Sequence, residues 1–233
     1  MLVALLGTTI SPYLLFWEAS EEVEEKITAG RIRLEDRIGA RTAEIDNETF
    51  DNATGMIFSN FVAYFVVLAA GSTLFKAGTS NIQSAAEAAL ALRPLAGPLA
   101  SVLFALGIIG TGLLAVPVLA GSSAYAVAET FGWNGGLGEK PKRAIKFYGV
   151  IVASVTAGVL IYLTDLNPIS ALFWTAVING VIAPPLIVLI MLVSSNEKIM
   201  GKWTNAPLTN FLGWLTAAVM FAAAIAMFLT WSS

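Results

Sequence analysis

The sequence contains no cysteine and no histidine, and only 12% of its 233 residues are charged. Without cysteine the chain can form no disulfide, thiolate metal site or cysteine nucleophile. Without histidine it lacks the usual zinc ligands and the base of the common catalytic triads. The net charge of −3 gives no basic excess that would attract nucleic acid. We therefore expect neither a nucleic-acid partner nor a catalytic residue.

Hydrophobic residues are what the sequence has in excess. They make up 57% of the chain, and the mean hydropathy is +0.76. Soluble domains carry about 25% charged residues, roughly twice the fraction found here. A soluble fold of this length would have no interior large enough for so much apolar surface. The composition therefore predicts an integral membrane protein whose surroundings are the lipid bilayer.

Long apolar runs divide the chain into six predicted spans. A membrane-crossing helix needs about 20 apolar residues, and the six runs are of that order or longer. We therefore predict an all-α fold with about six transmembrane helices, forming a single transmembrane domain over residues 1–233. The runs cover residues 1–20, 56–74, 98–127, 147–163, 169–194 and 208–231, and the first is broken at Pro12.

Two of the connections have features of their own. Residues 21–52 form the most charged stretch, predicted to be a cytoplasmic loop that begins as a solvated extension of the first helix. An acidic vestibule that collects metal ions is the alternative for this stretch. The second connection, residues 76–95, shows near-helical spacing of apolar residues after possible caps at Thr79 and Ser80. It is predicted to be a short helix at the membrane interface.

The distribution of lysine and arginine predicts the orientation. The first, third and fifth loops carry five, four and two of these residues, whereas the second and fourth carry two and none. Loops rich in lysine and arginine stay in the cytoplasm. We therefore expect a multi-pass protein of the cell (plasma or inner) membrane, with the odd loops cytoplasmic and both ends of this chain outside the cytoplasm.

The first run has a proline at its centre and hydroxyl side chains just before it. Helices broken in this way hold ion sites near the middle of the bilayer in transporters. Thr8 and Ser11 are three residues apart and would share a helix face. Their hydroxyls either bond back to carbonyls one turn earlier or face an ion. Pro12 also leaves carbonyls near Thr8 and Thr9 without amide partners, and such oxygens suit hard cations such as magnesium and manganese.

Other polar residues within the spans have two possible roles each. Glu18 is the one acid well inside a predicted span, so it is either functional or already at the interface beside Trp17. Tyr13 either forms a hydrogen bond across a cavity or only packs against neighbouring side chains. Asn60 and Asn179 either join helices by hydrogen bonds or line an ion path.

Three motifs resemble the NRAMP family of divalent-metal transporters. Gly-Thr-Thr-Ile-Ser-Pro-Tyr-Leu at 7–14 is similar to the family's sixth transmembrane helix. Residues 115–125 resemble its eighth helix, and residues 179–185 lie where its tenth helix carries a polar ligand near a proline. The resemblance covers the whole chain as helices six to eleven. The pattern is closer to the divergent NRAMP-related bacterial branch that includes magnesium transporters than to the iron and manganese carriers.

The resemblance implies the second half of a LeuT-like fold of inverted repeats, followed by an extra C-terminal helix. It implies divalent cation transport, with helices one to five as the missing partner half. Ser11 stands where the family has a ligating methionine, and Tyr13 and Glu18 stand where it has histidines. The metal candidates are thus Thr8, Thr9, Ser11 and Asn179, and the pathway or coupling candidates are Tyr13, Glu18 and Asn60.

The expected cargo is a Mg²⁺- or Mn²⁺-like hard cation, and no other cofactor is expected. Two further functions stay open from the sequence. One is a scaffold that packs against a transporter without transporting, and the other is a membrane-embedded enzyme that uses Glu18 for proton transfer.

Overall fold

The computed structural model describes residues 1–75, 82, 84–164 and 166–230. Within these residues the secondary structure is helical, without strands. Short 3₁₀ turns cover Glu35–Arg37, Gly97–Leu99 and Gly201–Trp203, and a π turn covers Gly71–Phe75. The α-helices are α1 (Leu2–Thr9), α2 (Pro12–Thr28), α3 (Thr42–Ala70), α4 (Ala85–Ala91), α5 (Arg93–Ala96), α6 (Ala100–Phe131), α7 (Ile145–Tyr162), α8 (Pro168–Ser194), α9 (Glu197–Met200) and α10 (Pro207–Thr230).

Six helical segments of the described chain are long and apolar enough to cross a membrane, which confirms the predicted all-α membrane fold. Proline begins α2, α8 and α10, where its missing amide costs no helical hydrogen bond. At α8 the cap is reinforced by Asn167, whose Oδ1 accepts from the Ile169 amide at 2.9 Å. Helix α6, with 32 residues, is about 48 Å long and exceeds the ~30 Å hydrocarbon core.

The charged segment 21–52 begins with the expected helical extension, but the helix that follows it starts earlier than expected. Helix α2 continues to Thr28 and is followed by Gly30, whose φ of +89° favours glycine. Helix α3 then begins at Thr42, fourteen residues before the predicted start of the second span. Its first turn is capped because the Glu44 carboxylate accepts from the Arg41 amide at 3.0 Å and pairs with Arg31. A polar first half therefore precedes the apolar half of the same helix.

The second connection contains a short helix in part of the range predicted for it. Helix α4 begins after Ser84, whose Oγ accepts from the Glu87 amide at 3.2 Å. The predicted caps Thr79 and Ser80 lie outside the described residues. Helix formation here follows the usual preference for a serine at the N-cap.

The chain divides into two compact units, Met1–Glu24 with Val118–Ser233 and Glu25–Pro117. In the first unit, α8 packs against both α1 and α10. A separate cluster there surrounds the fully buried Phe147 and includes Ala124, Tyr125 and Ala128. In the second unit, the apolar half of α3 is exposed, with side chains such as Phe61 and Phe65 on its surface. Exposed apolar surface on spans of this length is what acyl chains would contact.

Candidate metal site at the broken helix

The first span is interrupted at Ile10 and Ser11. Helix α1 ends at Thr9, and Ile10 is extended, with φ −117° and ψ 94°. Its amide still donates to the Leu6 carbonyl at 3.0 Å, and α2 begins at Pro12. Because proline has no amide hydrogen, the carbonyl of Thr8 has no helical donor four residues later. The break predicted at Pro12 is confirmed, and it leaves the Thr8 carbonyl without a backbone donor.

The three hydroxyls at the break donate back along the chain. Thr8 Oγ1 lies 2.7 Å from the Leu5 carbonyl, and Thr9 Oγ1 lies 2.9 Å from the Leu6 carbonyl. Ser11 Oγ lies 3.5 Å from the Thr8 carbonyl, at the limit of a hydrogen bond. Each hydroxyl therefore uses its hydrogen locally, while its oxygen lone pairs stay free to accept. A cation could be bound by these oxygens without breaking the two short bonds.

Helix α1 is held against α8 by backbone contact. A Cβ added to Gly7 would lie 2.0 Å from the Ala176 carbonyl oxygen and 2.5 Å from the Gly180 nitrogen. A Cβ added to Gly180 would lie 2.3 Å from the Val3 carbonyl oxygen. Glycine at both positions lets the two helices touch. Asn179, which is half-buried, directly precedes Gly180 on α8.

An apolar groove of about 620 Å³ runs along α1 and α8. Thr8 supplies the one polar side chain among the residues that line it. A divalent cation needs several oxygen ligands, so the groove itself offers no ion site. The lining residues are Met1, Leu2, Ala4, Leu5, Thr8, Ile169, Leu172, Phe173 and Ala176.

The pathway candidates lie in different parts of the fold. Tyr13 is half-buried and Glu18 is exposed, both on α2. Trp17, between them, packs its ring on Gly121 and contacts Tyr125 edge-on at a centroid distance of 5.8 Å. Asn60 belongs to the second unit, and its Nδ2 donates to the Met56 carbonyl of its own helix at 2.8 Å. The structure thus gives Asn60 a local partner on its own helix.

The hydrogen bonds of Glu24 were not predicted from the sequence, because this part of α2 was expected to be solvated. Its Oε1 accepts from the Tyr125 hydroxyl at 2.6 Å and the Leu137 amide at 3.0 Å. Its Oε2 accepts from the Gly138 amide at 2.9 Å. Gly136 has a φ of +147°, and a Cβ there would lie 2.3 Å from Glu24 Oε1. The glycines at 135, 136 and 138 were the available signal, since such a loop lets a backbone approach a side chain closely.

In the described part of the chain, six helical segments long and apolar enough to cross a membrane, the first of them interrupted, define a polytopic helical membrane protein of the broken-helix type. Residues 1–230 match the family described as natural resistance-associated macrophage protein-like, Nramp. The chain belongs to the Nramp family, as its motifs predicted.

Similarity to three bacterial proteins agrees with this assignment. Each is named a divalent metal cation transporter MntH, and the chain spans about half the length of these curated relatives. The protein of Caldanaerobacter subterraneus subsp. tengcongensis is 23% identical over 98% of the chain and 50% of its own length. The protein of Bradyrhizobium diazoefficiens is 24% identical over 94% of the chain and 46% of its own length. The protein of Deinococcus radiodurans is 22% identical over 94% of the chain and 47% of its own length. These are names of transporters and not of enzymes, in agreement with the expectation of no enzymatic activity.

Proposed function

We propose that this chain takes part in moving a divalent metal cation across a membrane, and that the ion binds at the break between α1 and α2. The observation that carries the proposal is the Thr8 carbonyl, which Pro12 leaves without a helical donor inside the first span of a Nramp-family chain. The names of the three relatives support the same class of cargo.

In this proposal the six spans form the second half of a LeuT-like fold, and helices one to five are the partner half. The coverage of about half of each relative supports this arrangement. The protein would lie in the cell membrane with its basic loops in the cytoplasm, because lysine and arginine concentrate in alternate loops.

The proposed ligands are all oxygen atoms. Thr8, Thr9 and Ser11 place carbonyl and hydroxyl oxygens at the break, and Asn179 would add an amide oxygen from α8. Oxygen ligands favour hard cations such as Mg²⁺ and Mn²⁺ over soft ones such as Cd²⁺. Mg²⁺ also keeps several of its waters, which a site of small hydroxyl side chains would accommodate. Tyr13, Glu18 and Asn60 are proposed to line the path or to couple transport.

The selectivity of this site can be tested at Ser11, in protein that also contains the partner half. Replacing Ser11 by Met adds a soft thioether and displaces a water that Mg²⁺ would keep. We expect Ser11→Met to weaken Mg²⁺ binding about tenfold, which is about 1.4 kcal/mol, and to strengthen Cd²⁺ binding. Ser11→Ala should cost Mg²⁺ less, since a water can take the place of the hydroxyl. Isothermal titration with Mg²⁺, Mn²⁺ and Cd²⁺ measures all three affinities.

Ser59 provides the matched control, because its hydroxyl makes the same local bond, to the Met56 carbonyl at 3.1 Å, away from the break. Ser59→Met should leave the three affinities unchanged. If Ser11→Met and Ser59→Met give the same order of affinities as the unmodified protein, the hydroxyl of Ser11 is only a back-bonded helix residue and the proposed ion site is wrong.

A further inference from the structure

The position of the segment between α6 and α7 relative to a membrane follows from the two helices that it connects. Both helices belong to segments long and apolar enough to cross a membrane, so residues 132–144 lie at a membrane surface. Phe131 and Trp133 stack at this boundary, with ring centroids 5.1 Å apart. Aromatic side chains of this kind are enriched at the depth of lipid headgroups. The segment is therefore placed where headgroups are, and its aromatic pair would anchor it there.

Four cationic side chains are concentrated between residues 132 and 146, which comprise this segment and the start of α7. Lys140, Lys142, Arg143 and Lys146 are all exposed, and Glu139 is the one carboxylate between residues 132 and 146, so the net charge is +3. In the described part of the chain, none of the four forms an ion pair with a carboxylate. The first turn of α7 adds no acidic residue. The positive charge of the segment is thus left for a partner outside the chain.

The segment is also held in a fixed shape. Glu24 accepts from the amides of Leu137 and Gly138, and the Tyr148 hydroxyl donates to the carbonyls of Leu137 and Glu139 at 3.2 and 3.1 Å. Lys146 Nζ lies 4.9 Å from the centroid of the Trp133 ring. A surface that is already ordered loses less conformational entropy when it binds a ligand. Glu24 adds one carboxylate to this surface, so residues 132–146 together with Glu24 carry a net charge of +2.

We propose that residues 132–146 bind the phosphate headgroup of an anionic phospholipid, with Trp133 at the interface and the four cations around the phosphate. Basic residues next to a membrane-spanning helix attract anionic lipid. The segment between α8 and α10 serves as an internal comparison. It also has a lysine over an indole, with Lys202 Nζ 4.7 Å from the Trp203 ring centroid. However, Glu197 leaves it a net charge of only +1, and we expect no such preference there.

Brominated lipids test the proposal, because bromine quenches tryptophan fluorescence at short range. The full chain in nonionic detergent is titrated with brominated phosphatidylglycerol or brominated phosphatidylcholine. The contribution of Trp133 is the difference between the unmodified protein and Trp133→Phe. We expect this contribution to be quenched at a several-fold lower mole fraction of phosphatidylglycerol than of phosphatidylcholine. Each lysine removed from the segment should weaken that binding about fivefold, which corresponds to about 1 kcal/mol.

The matched pair of variants is Lys140→Gln with Lys142→Gln against Lys198→Gln with Lys202→Gln. The first pair should abolish the preference for phosphatidylglycerol, and the second should preserve it. Native mass spectrometry of retained lipid gives the same comparison without replacing Trp133. The proposal is overturned if both lipids quench equally, or if both double variants lose the preference alike. It is also overturned if 10 mM inorganic phosphate displaces the lipid, since a soluble anion would then be the ligand.

Discussion

At the scale of single residues, Glu24 joins two parts of the chain that are more than a hundred positions apart. Its carboxylate accepts from the hydroxyl of Tyr125 and from the amides of Leu137 and Gly138. The Leu137 amide also lies 3.1 Å from the Tyr125 hydroxyl oxygen, so the three groups form one small network. Hydrogen bonds to a charged acceptor contribute about 1.5–3 kcal/mol each when they are protected from water. The end of α2 is thereby attached to the loop that precedes α7.

Glu24→Gln should break this network. The amide can keep one oxygen acceptor, but its NH₂ group would then face the amide hydrogen of Gly138, leaving two donors opposed. We expect the free energy of unfolding to fall by about 2 kcal/mol. Hydrogen exchange at Leu137 and Gly138 should accelerate, which mass spectrometry can measure. Glu21→Gln, at an exposed position on the same helix, is the control and should change neither quantity. Equal exchange rates in the two variants would contradict the network.

At the scale of elements, the crossing of α1 and α8 depends on glycine. Inside a bilayer, helices associate by van der Waals packing because lipid tails are as apolar as the side chains. Gly7 and Gly180 permit the backbone of each helix to touch the other. Helix α1 has only eight residues and would be marginal alone, so its place beside the break depends on this contact.

Gly7→Ala therefore tests whether α1 is held where the proposed ion site needs it. The new methyl group would lie 2.0 Å from the Ala176 carbonyl oxygen, a backbone atom that cannot rotate away. We expect a loss of stability of at least about 2 kcal/mol, seen as a lower melting temperature in detergent. Gly55→Ala in α3 is the control, since no atom lies within 4 Å of the added group there. It should be neutral or slightly stabilising, by at most about 1 kcal/mol. Similar melting temperatures for both variants would contradict the backbone contact.

At the scale of the whole molecule, the absence of cysteine makes the orientation directly measurable. A single cysteine introduced at Lys142 or Thr164 would be the one thiol in the chain, and both positions are exposed. Because basic loops stay in the cytoplasm, we expect a membrane-impermeant maleimide to label Thr164→Cys in intact cells. Lys142→Cys should be labelled only after the membrane is opened.

Lys202→Cys, in another basic loop, is the control for this orientation and should behave as Lys142→Cys does. Labelling of Lys142→Cys in intact cells, with protection of Thr164→Cys, would reverse the proposed topology. Labelling of all three positions in intact cells would show that the membrane had been breached, and the experiment would be repeated in sealed vesicles of known orientation.

Local physical constraints explain what the sequence could determine by itself. The six spans follow from the length of apolar runs, and the break follows from the missing amide of Pro12. The motifs at 7–14, 115–125 and 179–185 were enough to identify the Nramp family, which the match over residues 1–230 confirms. The start of α3 was missed by fourteen residues, because its cap depends on side chains of Arg31 and Glu44 that hydropathy ignores.

Only the tertiary structure decided which distant residues meet. Nothing in the sequence gives the pairing of Gly7 with Gly180, or of Glu24 with the amides of Leu137 and Gly138. The sequence left two possible roles for the hydroxyls of Thr8 and Ser11. The structure shows that both hydroxyls donate to carbonyls of the preceding turn. The reason is physical: a proline or an apolar run acts on its own few residues. A close helix crossing or a carboxylate network between distant segments depends on the packing of the entire chain.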